Sequence, residues 1–181
     1  MEFRIGEVMI KETVNIQKKW IVTRYRSHID FLSGISREVT DPNGNVLPAT
    51  SEIEGNLLLN EGITELLNLI TGTGSPTAFN SANAYLGVGD SNTAASAAQT
   101  GLQAATNKTY VAMYASYPSV SGQTATWRSE FDGSTANHGW QEFTVANGSS
   151  NSAKNLNRKV SDQGTKTTGQ VWTLDLQITL S

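Results

Sequence analysis

Near the end of the chain Trp172, Leu174, Leu176, Ile178 and Leu180 alternate with Thr173, Asp175, Gln177 and Thr179. A period of two is met by an extended strand with one dry and one wet face. Residues 85–89, 109–117, 124–131, 140–146 and 155–160 read as further strands. Clusters such as Ser121-Gly122, Asp132-Gly133-Ser134 and Asn147-Gly148-Ser149-Ser150 separate them with turn chemistry. Only one segment follows the helical period. Leu58, Leu59, Ile63, Leu66, Leu67 and Ile70 predict an amphipathic helix over residues 57–70, with Gly62 a weak point and Gly72 just past its end. Asn60, Glu61, Thr64, Glu65 and Asn68 form its expected wet face. Parallel sheets need a crossover, usually a helix, between strands, so many strands and one helix point to antiparallel pairing. The expected fold is therefore mainly β: an antiparallel β-sandwich or jelly-roll-like body with one amphipathic helix and an extended N-terminal arm.

Charge divides the chain unevenly. Residues 1–65 hold seven Lys or Arg and ten Asp or Glu, out of 13 and 16 in all, whereas between Leu66 and Thr126 only Asp90 and Lys108 are charged. A soluble domain usually draws about a quarter of its residues from these four types. A stretch of Ala, Ser, Thr, Asn and Gly this long is thus either a neutral surface or a covered one, and protein interfaces are depleted of charge at their centres. The expected division is a charged arm over residues 1–54 and a β-rich body over 55–181. Within the arm, residues 19–26 read as a strand with Trp20, Val22 and Arg24 on one face, and Asp41-Pro42-Asn43-Gly44 predicts a hairpin over 35–50.

The composition narrows the chemistry. With no cysteine, disulfides, thiolate metal sites and cysteine nucleophiles are excluded. No secretory leader and no run of about 18 apolar residues is visible, so a soluble product of a cytoplasm is expected. A net charge of −3 argues against a phosphate-binding surface. Lys18, Lys19, Arg24 and Arg26 interleave with Trp20 and Tyr25 in a pattern that can meet nucleic acid, but Glu12, Asp30 and Glu38 lie close by in sequence. An exposed strand edge guarded by charge is the expectation, with no nucleic-acid or membrane partner.

Catalytic patterns are sparse. His28 and His138 have no Gly-x-Ser-x-Gly elbow near them, and His138 sits in an Asn-His-Gly turn. No His-x-x-x-His pair or EF-hand spacing is present, so neither a metal nor a cofactor is expected. Gly87-Val88-Gly89-Asp90-Ser91 lacks the third glycine or the Gly-Lys-Ser/Thr of a phosphate loop, and a strand ending in a glycine turn fits it better. Glu130, Asp132 and Glu142 would serve a hydrolase only if two carboxylates met in a cleft. The expectation is a non-enzymatic protein. Its candidate interface residues are the aromatic side chains Trp20, Tyr25, Tyr114, Tyr117, Trp127 and Trp140.

Four ordered stretches carry a family likeness: residues 55–62 (GNLLLNEG), 84–91 (AYLGVGDS) with 99–102 (QTGL), 140–148 (WQEFTVANG), and 156–160 (LNRKV) with 164–166 (GTK) and the Trp172 strand. Together they resemble small structural proteins of tailed bacteriophages that decorate capsids or form tails and fibres. The resemblance covers residues 55–181 and brings no catalytic or metal residues with it. It implies a virion protein that contacts capsid or tail proteins and copies of itself, in a trimeric or similar knob. The leading expectation is a capsid decoration or cement protein. The alternative is a tail or tail-fibre protein that binds a host-surface glycan.

Overall fold

A computed structural model of the chain describes residues 15–181. Two five-stranded antiparallel sheets pack face to face. The first has the order β4-β1-β12-β9-β8, built from β1 (Ile16–Tyr25), β4 (Thr50–Glu54), β8 (Ser119–Ser121), β9 (Thr124–Phe131) and β12 (Val171–Leu180). The second has the order β5-β11-β10-β6-β7, from β5 (Leu57–Leu58), β6 (Tyr85–Gly89), β7 (Lys108–Ala112), β10 (Glu142–Ala146) and β11 (Asn157–Val160). A hairpin of β2 (Val39–Thr40) and β3 (Val46–Leu47) turns on Asp41, whose carboxylate accepts from the Asn43 and Asn45 amides. Two helices, α1 (His28–Leu32) and α2 (Asn60–Thr71), complete the described residues.

The period-two strands place their apolar faces as expected. Trp172, Leu174 and Leu176 of β12 face Trp20 and Val22 of β1 across the strand pair, and Leu86, Val88, Phe143 and Val145 close the core from the second sheet. Aromatic rings bind the layers: Trp140 meets Phe131 at 4.7 Å and Trp172 at 4.9 Å between centroids, both edge to face.

Several expectations need correction. The boundary at residue 54 does not separate two bodies, because β1 lies between β4 and β12 and buries Trp20 and Val22 in the common core. Residues 1–14 of the expected arm lie outside the described residues. Paired with β4 on one side and β12 on the other, β1 is no exposed edge. Arg24 is almost wholly buried, so the basic residues around it do not form one surface. Residues 57–58 are extended and pair with β11, and the helix begins at Asn60 and ends at left-handed Gly72.

The helix is also rotated from its expected orientation. Gly62 and Glu65 are buried, while Ile63, Leu67 and Ile70 are 40, 56 and 80 % exposed. Gly62 is the cause. A Cβ there would sit 2.4 Å from the Leu156 Cα, so the helix backbone rests directly on the chain entering β11. Alanine normally favours a helix by about 1 kcal/mol over glycine. Here Gly62→Ala is expected to destabilise by about 1–3 kcal/mol in urea unfolding, because the backbone must separate to admit the methyl group. Gly139→Ala, whose Cβ would meet nothing nearer than 3.8 Å, serves as the near-neutral control.

Candidate functional site

All five residues of β10 are buried, so both faces of this strand are covered. Phe143 and Val145 face the core, while Glu142 faces outward beneath the irregular segment 90–107 and Thr144 donates to Asn155 and to the Asn157 carbonyl. The Glu142 carboxylate accepts from the Gln103 amide at 2.9 Å and the Ala104 amide at 2.7 Å. Arg158 of β11, fully buried with it, donates through Nε to Glu142 at 2.7 Å. Its Nη1 donates to the Thr93 carbonyl and the Gln99 side chain. One ion pair thus holds both limbs of a long loop that carries no charge after Asp90.

The glycines of Gly87-Val88-Gly89 make room for this layer. They lie within β6, directly opposite Thr144 and Glu142. A Cβ on Gly89 would fall 2.5 Å from Glu142 Oε1, and one on Gly87 would fall 2.7 Å from the Tyr110 ring. Side chains, not a turning backbone, occupy the space these glycines leave. Burial pushes the Tyr110 hydroxyl's pKa up, and that hydroxyl donates to Asn151, whose amide donates to the Leu102 carbonyl.

Other buried polar groups fasten other loops in the same way. Glu65 accepts from the Thr77 amide and Asn147, which ties helix α2 to the segment after it. Buried Lys166 donates to the Thr135 carbonyl and Asn137, and burial lowers its pKa to about 8. Arg24, lowered to about 10 by burial, lies over the Trp172 ring at 4.7 Å and donates to Pro48, Ser51 and Gln163.

The three carboxylates considered for hydrolysis do not converge. Glu142 is saturated by its donors beneath the loop of the second sheet. Glu130 lies 3.8 Å from His28 on the first sheet, its pKa raised by burial. Asp132 accepts from Thr135 and Ser134, which hold its pKa down to about 2. His138 hydrogen-bonds Thr109 and the Gly139 carbonyl within its turn. Among the described residues no three His, Asp or Glu side chains form a metal-holding group, and no helix is long and apolar enough to cross a membrane.

The candidate interface aromatics divide into three groups. Trp20 and Trp140 are fully buried core residues and are unavailable to a partner, because the strand period turns Trp20 inward and rings enclose Trp140. Tyr114 is exposed, and Tyr25 and Tyr117 are half-buried. Phe31 stacks edge to face with Tyr25 at 5.3 Å and with Tyr114 at 5.9 Å, and Arg128 sits over Tyr117 at 5.0 Å while pairing with buried Asp175. That pairing raises the Arg128 pKa. Trp127, half-buried, lines an apolar groove of about 520 Å³ with Leu58, Leu66, Leu69, Phe79 and Ile178. Sequence reading missed this groove, whose walls come from both sheets and the helix. It also missed α1, which brings Phe31 to the tyrosines.

Comparison with family models, curated proteins and solved structures found no match.

Breaking the Glu142–Arg158 pair should cost far more than removing it whole. Arg158→Met is expected to lose about 3–5 kcal/mol by stranding a buried carboxylate, and Glu142→Gln/Arg158→Met to lose much less than the two single changes summed. Denaturant unfolding of the four chains measures this, and amide exchange at Gln103 and Ala104 should quicken in Arg158→Met. Asp132 sets an acid limit. Its folded pKa, about 2, lies below the ordinary 3.8, so its contribution is present above pH 4 and fades as pH falls towards 2. Thermal melts of Asp132→Asn should show a shallower loss of stability across that window than the unaltered chain.

Proposed function

We propose that this protein is a non-enzymatic structural component of a tailed-phage virion, with capsid decoration the leading role. The observation that carries the reading is the outward stripe Ile63, Leu67 and Ile70 on α2. An apolar helical face left in water is a recurrent mark of a protein contact. Neutral surface accompanies it: residues 71–75 and 92–96 are exposed and carry no charge. Such surfaces can pack against copies of the chain or against shell proteins without stranding ions. The family likeness in residues 55–181 supports the same reading. Because β1 and β4 are built into the sandwich, attachment is assigned to this surface and not to a detachable arm of 54 residues. Repetition of weak contacts across a shell then raises the effective affinity.

A tail or fibre protein that binds a host-surface glycan is the second reading, and one observation favours it. A polar cleft of about 430 Å³ between the β2–β3 hairpin and the loop after β11 is lined by Asp41, Asn43, Asn45, Gln141, Asp162 and Thr165. These donors and acceptors suit hydroxyl groups.

Leu67→Asp/Ile70→Asp tests the leading reading. The altered protein is expected to keep its circular dichroism and melting temperature while losing cosedimentation with capsids lacking the native copy. Undiminished capsid binding by this variant, or no binding by the unaltered protein, would overturn it. Retention on immobilised host glycans, abolished by Asp162→Ala, would establish the alternative.

A further inference from the structure

Among the described residues the two sheets end in four edge strands, β4 and β8 in the first and β5 and β7 in the second. An edge leaves a row of backbone N–H and C=O groups unpaired, and folded proteins commonly guard such rows with charge, with a very short strand or with a covering element. Three of the four are guarded. β4 carries Glu52 and Glu54, β7 carries Lys108, and β5 is two residues long and leads at once into α2. The fourth, β8, is Ser119-Val120-Ser121, uncharged and exposed at every position.

The central side chain of β8 belongs to the core side of its sheet. Val120 pairs with Ala125, and Ala125 with Ile178, so the three form one row across β8, β9 and β12. Trp127 and Leu176 form the next row on the same face, and Leu176 is in the core. At Val120 the row runs out into water beside the apolar groove, which Val120, Ile16 and Leu180 line while 75, 38 and 49 % exposed. Unpaired backbone and uncovered apolar side chains therefore meet along one margin, where an added strand would satisfy the first and cover the second.

The sequence of this margin complements itself. Two copies of β8 laid antiparallel about a two-fold axis set Val120 opposite Val120 on the core side and Ser119 opposite Ser121 on the other, with no like charges opposed. The same operation centred on β4 would set Glu52 against Glu52. We propose that the protein dimerises through β8, a second copy adding its own β8 antiparallel to the first, so that the two first sheets become one continuous sheet. The contact is separate from the stripe Ile63, Leu67 and Ile70, and the dimer stands or falls independently of attachment through that stripe.

Sedimentation equilibrium of the full chain is expected to give twice the chain mass across micromolar concentrations. Val120→Lys, a change at an exposed position, should raise the dissociation constant by about tenfold or more with an unchanged circular dichroism spectrum. Leu67→Asp/Ile70→Asp should dimerise as the unaltered chain does. The absence of cysteine allows a positional reading as well. Residues opposed in an antiparallel pair lie within disulfide reach, so Val120→Cys should form a covalent dimer under mild oxidant, whereas Val46→Cys, 66 % exposed on the β2–β3 hairpin, should not. A monomer at every concentration overturns the proposal and leaves the edge to a strand of some other protein. A dimer that Val120→Lys leaves intact, or that cross-links no better at 120 than at 46, overturns it by placing the contact elsewhere.

Discussion

The Glu142 carboxylate decides how a segment without regular structure can lie over a sheet. Buried amides need acceptors, and a loop that forms neither helix nor strand cannot supply them all from its own backbone. Glu142 receives the amides of Gln103 and Ala104, and Arg158 neutralises the charge from the neighbouring strand while bonding Thr93 and Gln99. Everything on the outer face of the second sheet follows from that choice. Residues 87 and 89 must be glycine to clear Tyr110 and Glu142, and β10 becomes buried on both faces.

Charge and neutrality consequently occupy unusual places. Arg24, Glu65, Glu142, Arg158, Lys166 and Asp175 are all buried, each tied to a loop or paired with a partner, while long neutral tracts face outward. Buried ion pairs contribute little net stability compared with well-packed apolar residues, but removal of one partner is costly. Their effect here is one of position: they fix where otherwise unstructured Ala, Ser, Thr and Asn segments lie. A neutral surface fixed in shape is suited to repeated packing against other proteins, since little loop ordering remains to be done on contact.

What could be read in the sequence depended on the range of the interaction. Strands 85–89 and 124–131 match their expected bounds because alternation is a local property, and the Asp41 turn formed its hairpin because its hydrogen bonds span only a few residues. β5 and β8 are two and three residues long, with too few positions to show a period, and β4 carries a single apolar residue, Ile53. The helix was found but turned the wrong way, because apolar spacing takes no account of the close approach that Gly62 permits. Trp20 and Trp140 carried the same aromatic signal as Tyr114. Only the tertiary packing assigns the first two to the core. The Glu142 site was not legible at all: the carboxylate stands 39 positions from Gln103 and 16 from Arg158, with no spacing rule to link them.

The rotation of α2 has a further consequence. A helix with leucine or isoleucine at 63, 66, 67, 69 and 70 carries more apolar surface than one side can bury. Resting Gly62 against Leu156 commits Leu66 and Leu69 to the interior groove and leaves Ile63, Leu67 and Ile70 outside. The two surfaces differ in what can cover them. The groove is concave and is walled by both sheets as well as the helix. The stripe is convex and bordered by neutral loops, so a broad partner surface is better matched to it. One glycine contact therefore divides a single hydrophobic helix between an inward groove and an outward stripe.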